Sequence, residues 1–180
     1  MSSPTADVSV RVAWADDAPA IGGLQARAWR TAYGDLVPAE ALPDEATATE
    51  AWHASLTRPA DARNRVLVAL ERNRVTGFAV VGPAADPDCD PIVDGELLEL
   101  TVDADERAKG HGSRLLTAVV ETMAADGFTR GVFWAIATDE ELRSFLTTAG
   151  WAADTAHREL DLDGTGSTRV KQVRLHTALS

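Results

Sequence analysis

The sequence predicts an α/β fold in which a mixed, mostly antiparallel central sheet is flanked by helices. Two apolar strand patterns, Arg65–Glu71 and 75–82, are separated by only three residues, which favours a hairpin. A later stretch runs from strand through a glycine-bearing turn into a helix and a second strand, a βαβ unit with parallel strands. Strand patterns at 155–162 and 169–175 flank a Gly-Thr-Gly turn and predict a final antiparallel pair.

The first part of the chain predicts one strand followed by two helices. Val8–Val12 alternates in polarity and predicts the first strand. Asp16 or Asp17 can cap the next helix, whose apolar residues share one face as far as about Tyr33. A second helical pattern with a poorer apolar face covers about 43–56.

The second part supplies the βαβ unit. The segment 83–95 is rich in aspartate and proline and predicts a solvated loop. Simple alternation in the strand 96–102 predicts one face with Glu96, Leu98, Leu100 and Val102, and another with Leu97, Glu99 and Thr101. A helix that ends near Gly127 and the apolar strand Arg130–Ile136 come next. A capping box starting at Thr138 predicts a last helix that ends at Gly150.

Composition limits the class of protein. The chain has 180 residues and a formal net charge of -11, which argues against nucleic-acid and anionic-membrane partners. We expect one domain over 8–179 and a flexible N-terminus over 1–7. A single cysteine, no signal-peptide pattern and no apolar run of about 20 residues favour the cytoplasm. Abundant alanine and only two lysines indicate GC-rich coding and a bacterial source.

The turn between strand and helix is a candidate anion site. Gly110 and Gly112 let a phosphate approach the first free N–H groups of the helix. The turn lacks the Lys-Ser/Thr pair of a P-loop, and Leu115 replaces the third glycine of a dinucleotide-binding motif. Arg107-Ala108-Lys109-Gly110-His111-Gly112 instead has the form [R/Q]xxGx[G/A].

With Val102-Asp103 before it and Leu115-Leu116 after it, this turn resembles the coenzyme A-binding motif of the GCN5-related N-acetyltransferases (GNAT). Phe145 followed by Gly150-Trp151 is similar to the second signature of that family, and the strand order agrees over about 8–179. The resemblance implies acetyl-CoA as co-substrate and a bulged strand that is splayed from its parallel neighbour.

The resemblance also implies a set of donor-binding positions. Backbone groups of Leu100, Thr101 and Val102 are expected to hold pantetheine and the acetyl carbonyl. Backbone N–H groups along the turn are expected to hold the pyrophosphate: Arg107, Ala108, Lys109, Gly110, His111, Gly112 and Ser113. The His111 side chain is either a phosphate ligand or a packed or solvent-facing imidazole. Asp139 replaces the Asn of the second signature, where a cofactor contact is expected.

The catalytic positions depart further from the family. Leu146 stands where the family often has a tyrosine that protonates the departing thiolate. Glu96 aligns with a strand glutamate that serves as base in one branch, Glu99 is the alternative, and Glu96 can also be a strand-end residue in solvent. Trp29 and Tyr33 fall in the segment that borders the acceptor site in a bacterial branch of the family.

The leading hypothesis is an N-acetyltransferase that moves acetyl from acetyl-CoA to a primary amine of a small molecule or protein, by direct attack in a ternary complex. The alternative is a non-catalytic module that binds acetyl-CoA or CoA as a sensor or regulator. No metal site is expected, because the histidines show no ligand spacing. A homodimer is possible, since homodimers are common in the family.

Overall fold

A computed structural model describes residues 7–180. Apart from Asp7, the N-terminal segment expected to be flexible lies outside the described residues.

The described residues form one seven-stranded sheet with the strand order β1-β2-β3-β4-β5-β7-β6. The β4–β5 pair is parallel and the other five neighbouring pairs are antiparallel, which confirms the predicted mixed sheet. The strands are β1 Val8–Val12, β2 Arg65–Glu71, β3 Arg74–Pro83, β4 Asp94–Val102, β5 Arg130–Ile136, β6 Ala152–Asp161 and β7 Arg169–Ala178.

Helices cover both faces of the sheet, as predicted. They are α1 Ala18–Tyr33, α2 Glu45–Thr57, α3 His111–Ala125 and α4 Glu140–Thr148. On one face, Ile21 and Leu24 of α1 pack with Phe78 of β3, and Trp52 of α2 meets the Phe78 ring edge-on at 5.5 Å. On the other face, the larger core cluster includes Leu115 and Val119 of α3 and Leu146 of α4. These apolar contacts hold the two helical layers to the sheet.

The helix starts differ in detail from the sequence expectation. Asp139, not Thr138, is the N-cap of α4, and its carboxylate accepts from the Leu142 N–H at 3.0 Å. Asp17 occupies the N-cap position of α1, but its carboxylate is turned back to Arg11 and to the Trp14 N–H. The Asp17 side chain therefore ties β1 to the start of α1 instead of capping the helix.

The predicted side-chain faces of β4 are wrong beyond Leu97. In the ladder with β3, Val81 pairs with Leu97 and Val80 pairs with Glu99, so Leu98 is an extra residue that forms a β-bulge. One extra residue shifts the period-two alternation by one position. Leu97, Leu100 and Val102 therefore share the core beneath α3, and Glu99 faces α1.

The aspartate-rich loop between β3 and β4 is largely exposed, as its composition predicts, but several of its aspartates are paired. Asp94 is buried and accepts a hydrogen bond from Arg130 Nε at 2.9 Å. Asp86 accepts from the indole N–H of Trp134 at 2.8 Å. Arg174 of β7 donates to Asp88 and, at 2.6 Å, to Asp154. Trp134 lies half-buried beneath these charges, with Arg158 4.2 Å above its ring.

Candidate active site

The site begins where two parallel strands separate. β5 pairs with β4 only from Asp94↔Arg130 to Leu97↔Phe133, although both strands continue for several residues. Leu98, the bulged residue, is the first after this point and is 53% exposed. A gap therefore opens beside Leu100, Thr101 and Val102, the segment expected to receive the pantetheine arm.

Glu99 lies just beyond the point of separation and is held from α1. Gln25 Nε2 donates to Glu99 Oε2 at 2.8 Å, and Trp52 Nε1 donates to Gln25 Oε1 at 2.9 Å. Burial raises the pKa of the Glu99 carboxyl, while hydrogen bonds from Gln25, Trp29 and Thr101 partly offset this rise. Glu99 is thus a positioned carboxylate that binds a proton more readily than an exposed glutamate.

Glu96 has a different environment. It lies within the paired part of β4, opposite Val132, and is only 6% exposed, so it does not reach solvent as a strand-end residue. Burial raises the pKa of its carboxyl, and the nearby carboxylate of Asp86 adds to the rise. The backbone N–H of Ala85 lowers that pKa in part.

Tyr33 and Trp29 line the α1 side of the gap, half-buried near the end of the helix. The pKa of the Tyr33 hydroxyl is raised by burial first, and then by the carboxylates of Glu99 and Asp139. Two carboxylates that are distant from Tyr33 in sequence therefore lie close enough to raise the pKa of its hydroxyl. Asp139 also caps α4, so its carboxylate already accepts a backbone N–H.

The turn before α3 has the backbone conformation expected of an anion cradle. Ala108 and Gly110 both have left-handed backbone conformations, with φ of 61° and 84°, and α3 begins at His111. Left-handed residues in such a turn direct successive N–H groups to one side, toward the free N–H groups of the first helical turn. The side chains of Arg107 and Ser113 are exposed beside it.

Of the other two basic residues of the motif, Lys109 is held by an ion pair and His111 is buried. Lys109 Nζ binds Glu106 Oε2 at 2.9 Å, and Arg74 binds the other oxygen of Glu106 at 2.5 Å. These two cations lower the pKa of the Glu106 carboxyl to about 2. The His111 side chain is 1% exposed and packs beneath the turn, so only its backbone N–H is available to the cradle.

A groove continues from the cradle between α3 and α4. Its cavity volume is about 380 Å³, and its lining includes Ser113, Thr117 and Phe145. A Cβ added at Gly112 would stand 3.5 Å from the Phe145 ring and 3.8 Å from Val102. Gly112 therefore lies where the cradle, the gap and this groove meet.

Leu146 is fully buried in the core, so α4 offers no proton donor at the position expected for tyrosine. Phe145, its neighbour, is half-buried and packs against the same cluster.

A splayed pair of parallel strands beside a backbone-built cradle is the geometry expected for an acyl-CoA site. The family model described as Acetyltransferase (GNAT) family matches residues 25–150, more than half of the chain. The chain belongs to the GNAT acetyltransferase family. This match begins within α1, at Gln25, and includes the bulged strand, the turn before α3 and α4.

Solved structures support the same fold. The chain is 20% identical to the ribosomal-protein-alanine N-acetyltransferase of Brucella melitensis, with a TM-score of 0.76 over 95% of this chain and 99% of that one. It is 17% identical to yncA of Salmonella typhimurium, solved with its cofactor acetyl-CoA, with a TM-score of 0.72 over 97% and 95% of the two chains. A GCN5-related N-acetyltransferase from Kribbella flavida matches at 20% identity and a TM-score of 0.72 over 98% and 100%.

A comparison with curated protein sequences found no match. Within residues 7–180, no helix is both long and apolar enough to cross a membrane.

Sequence reasoning missed the residues that support Glu99 from a distance. Gln25 lies 74 positions before Glu99, and Trp52 lies on a different helix, α2. No spacing in the sequence therefore connects the three residues. Glu106 was also missed, because it reads as one more acid in a charged turn. Its position directly before Arg107 of the motif is the only sequence signal for it.

Proposed function

We propose that this GNAT protein is an N-acetyltransferase that transfers acetyl from acetyl-CoA to a primary amine by direct attack in a ternary complex, with Glu99 as the general base. The observation that carries the proposal is the separation of β4 from β5 after Leu97, with Glu99 the second residue beyond it. This arrangement puts a held carboxylate beside the gap in which a thioester can lie.

The residues around the gap fit acetyl-CoA. Left-handed Ala108 and Gly110 present backbone N–H groups to a pyrophosphate, and Gly112 leaves room where the gap meets the groove. The backbone of Leu100 to Val102 faces the gap and can pair with the amides of pantetheine. The bound co-substrate supplies an activated acetyl thioester, and every other function of the site falls to the chain itself.

Glu99 is better placed than Glu96 to remove a proton from the acceptor. An ammonium must lose a proton before its nitrogen lone pair can attack a thioester carbonyl. Glu96 lies where β4 and β5 are still paired, whereas Glu99 lies where they have separated. The raised pKa of Glu99 brings it closer to the pKa of an amine, which makes the proton transfer less uphill.

Tyr33 is our candidate for the group that protonates the departing thiolate. Leu146 cannot do so, and Tyr33 is the only tyrosine of the chain. Because its pKa is raised, the Tyr33 hydroxyl keeps its proton at neutral pH and can donate it. A thiol pKa of about 8.5 makes the thiolate a fair leaving group, so this donor need contribute only modestly.

The charges at the gap favour a cationic acceptor. Glu99 and Asp139 both act on Tyr33, so an ammonium near the Tyr33 hydroxyl meets two carboxylates. The aromatic ring of Trp29 on the same side of the gap can add a cation–π contact. A small amine and an exposed lysine or N-terminus of a protein share this chemistry.

The buried Leu146 keeps a second function open, a module that binds acetyl-CoA or CoA without turnover. Two measurements separate the functions: calorimetric titration with CoA, and release of free thiol from acetyl-CoA across a panel of amines. Transfer requires CoA binding together with amine-dependent thiol release, which Glu99→Gln should slow by about 100-fold or more if Glu99 is the base. Binding without release over a broad panel supports the module, and the absence of CoA binding refutes both functions.

A further inference from the structure

Three buried polar atoms without hydrogen-bond partners lie together beneath the cradle. They are Oε2 of Glu71, at the end of β2, and both ring nitrogens of His111, at the start of α3. Buried polar groups are nearly always paired, since leaving one unpaired costs about 1–3 kcal/mol. Glu71 Oε2 and His111 Nε2 face each other, so one ion between them would give both atoms a partner.

The donor atoms of these groups lie close enough together for small side-chain movements to bring them around a shared ion. His111 Nε2 lies 3.4 Å from Glu71 Oε2 and 4.0 Å from Glu106 Oε2. A charge-assisted hydrogen bond would be about 2.7–2.9 Å long. Two donors that each lie about 2.0–2.2 Å from one metal ion are instead about 3–4.4 Å apart. Donor atoms of Glu71, Glu106 and His111 all lie within 4.8 Å of one another.

The charges of the cluster suit a cation once Lys109 and Arg74 turn to solvent. An imidazole nitrogen that presents its lone pair to two carboxylate oxygens is repelled by both unless a cation lies between them. Without Lys109 and Arg74, two carboxylates and one neutral imidazole balance the charge of a divalent ion. One imidazole with two carboxylates is also a ligand set that suits first-row transition metals.

We propose that Glu71, Glu106 and His111 bind a divalent transition-metal ion, zinc or a close relative. Sequence spacing gave no sign of this site because its ligands come from β2, the turn after β4 and α3. The Glu71 side chain is 30% exposed and gives the ion a path from solvent, while the other two ligands are buried.

The ion takes the place of Lys109 at Glu106. Lys109 and Arg74 now hold the two oxygens of that carboxylate, but both side chains are more than half exposed and can turn to solvent. Replacing Lys109 at Glu106 frees its ammonium on the same turn that forms the cradle. The bound ion therefore stabilises the turn from beneath and also releases the Lys109 ammonium from Glu106.

The test is a Co²⁺ titration of the full chain after treatment with a chelator, followed by the visible absorption of bound Co²⁺. A second group of possible ligands, Asp86, Asp88 and Cys89, could bind the same probe, so the parent protein carries Cys89→Ser. Against this parent, Glu71→Gln and His111→Gln each remove one proposed ligand. His53→Gln, in α2, is the matched histidine control.

We expect one Co²⁺ per chain in the parent and in the His53 variant. Loss of an outer-shell partner of a metal ligand lowers the metal affinity about 10–100-fold. Loss of a ligand itself should lower the Co²⁺ affinity by at least as much. Glu71→Gln tests the site even if His111→Gln fails to fold, because Glu71 is partly exposed. No binding in the parent, or equal binding in parent and Glu71 variant, overturns the proposal. The readout does not depend on acetyl transfer.

Discussion

Gln25 connects the indole of Trp52 to the carboxylate of Glu99 through hydrogen bonds of 2.9 and 2.8 Å. An indole N–H can only donate, so it fixes the amide oxygen of Gln25 toward Trp52. The amide NH₂ of Gln25 is then left to face Glu99. Two helices thus orient one carboxylate on the strand, and the orientation follows from donor and acceptor chemistry alone.

Glu99→Gln should lower kcat by about 100-fold or more, the usual contribution of a general base. Because burial raises the pKa of Glu99 above its ordinary 4.5, the wild-type rate should rise with pH through a midpoint above that value. The variant should lose that rise and keep its calorimetric affinity for CoA. The matched variant is Glu96→Gln, which we expect to leave the pH–rate profile in place. If Glu96→Gln removes the rise and Glu99→Gln does not, the base is Glu96.

Gln25→Leu should move the pH–rate midpoint further upward. The hydrogen bond from Gln25 lowers the pKa of Glu99, so its removal leaves burial less opposed and raises that pKa. At a pH near the midpoint, the variant should therefore be slower than wild type, and the two rates should converge at high pH. Trp52→Phe, which removes only the anchor of Gln25, should give a smaller shift. An unchanged midpoint in Gln25→Leu would mean that Glu99 does not limit the rate.

The order of the elements followed from the sequence because each depends on local patterns. The three-residue separation of two apolar runs gave the β2–β3 hairpin, and Gly110 marked the start of α3. The side-chain faces of β4 did not follow. The bulge at Leu98 adds one residue without any glycine or proline to mark it, and it depends on the pairing with β3.

The glycine-bearing turn before α3 was predictable for the same reason, since Arg107–Ser113 is one short segment with its own local signals. The surroundings of Glu99 and His111 were not, because they depend on side chains from α1, α2 and β2. Composition also misled at Asp94, which reads as a loop acid but is a buried partner of Arg130.

Tyr33→Phe should lower kcat by about 10–100-fold. This effect is at or below the usual contribution of a general acid, because a thiolate leaves readily even without one. Its calorimetric affinity for CoA should not change. Since the pKa of Tyr33 is raised above its ordinary 10, any fall in the wild-type rate from loss of this proton should have its midpoint above pH 10. Thr31→Ala, an exposed hydroxyl on the same helix, is the control and should be fully active. A fully active Tyr33→Phe would exclude Tyr33 as the acid.

Gly112→Asp should abolish measurable binding of CoA, because it adds a negative charge where the cradle receives the pyrophosphate. The contacts of an added Cβ, 3.5 Å from Phe145 and 3.8 Å from Val102, are of ordinary length, so the fold should tolerate the change. Ala20→Asp places the same charge at an exposed position of α1, on the opposite face of the sheet, and should bind CoA normally. Retained affinity in a folded Gly112→Asp protein would refute the position of the cradle.

Ala108→Gly should stabilise the protein without weakening the cradle. Ala108 has a φ of 61°, a left-handed conformation that destabilises the folded state by about 1–2 kcal/mol for an L-residue but not for glycine. Glycine loses more backbone entropy on folding than alanine does, which offsets about 0.5–1 kcal/mol of this gain in stability. The free energy of unfolding in urea should therefore rise by about 0.5–1 kcal/mol, with unchanged affinity for CoA. Ala108→Val should instead destabilise, because a β-branched side chain fits the left-handed region poorly. If both variants unfolded at the wild-type urea concentration, the turn would not hold this conformation in solution.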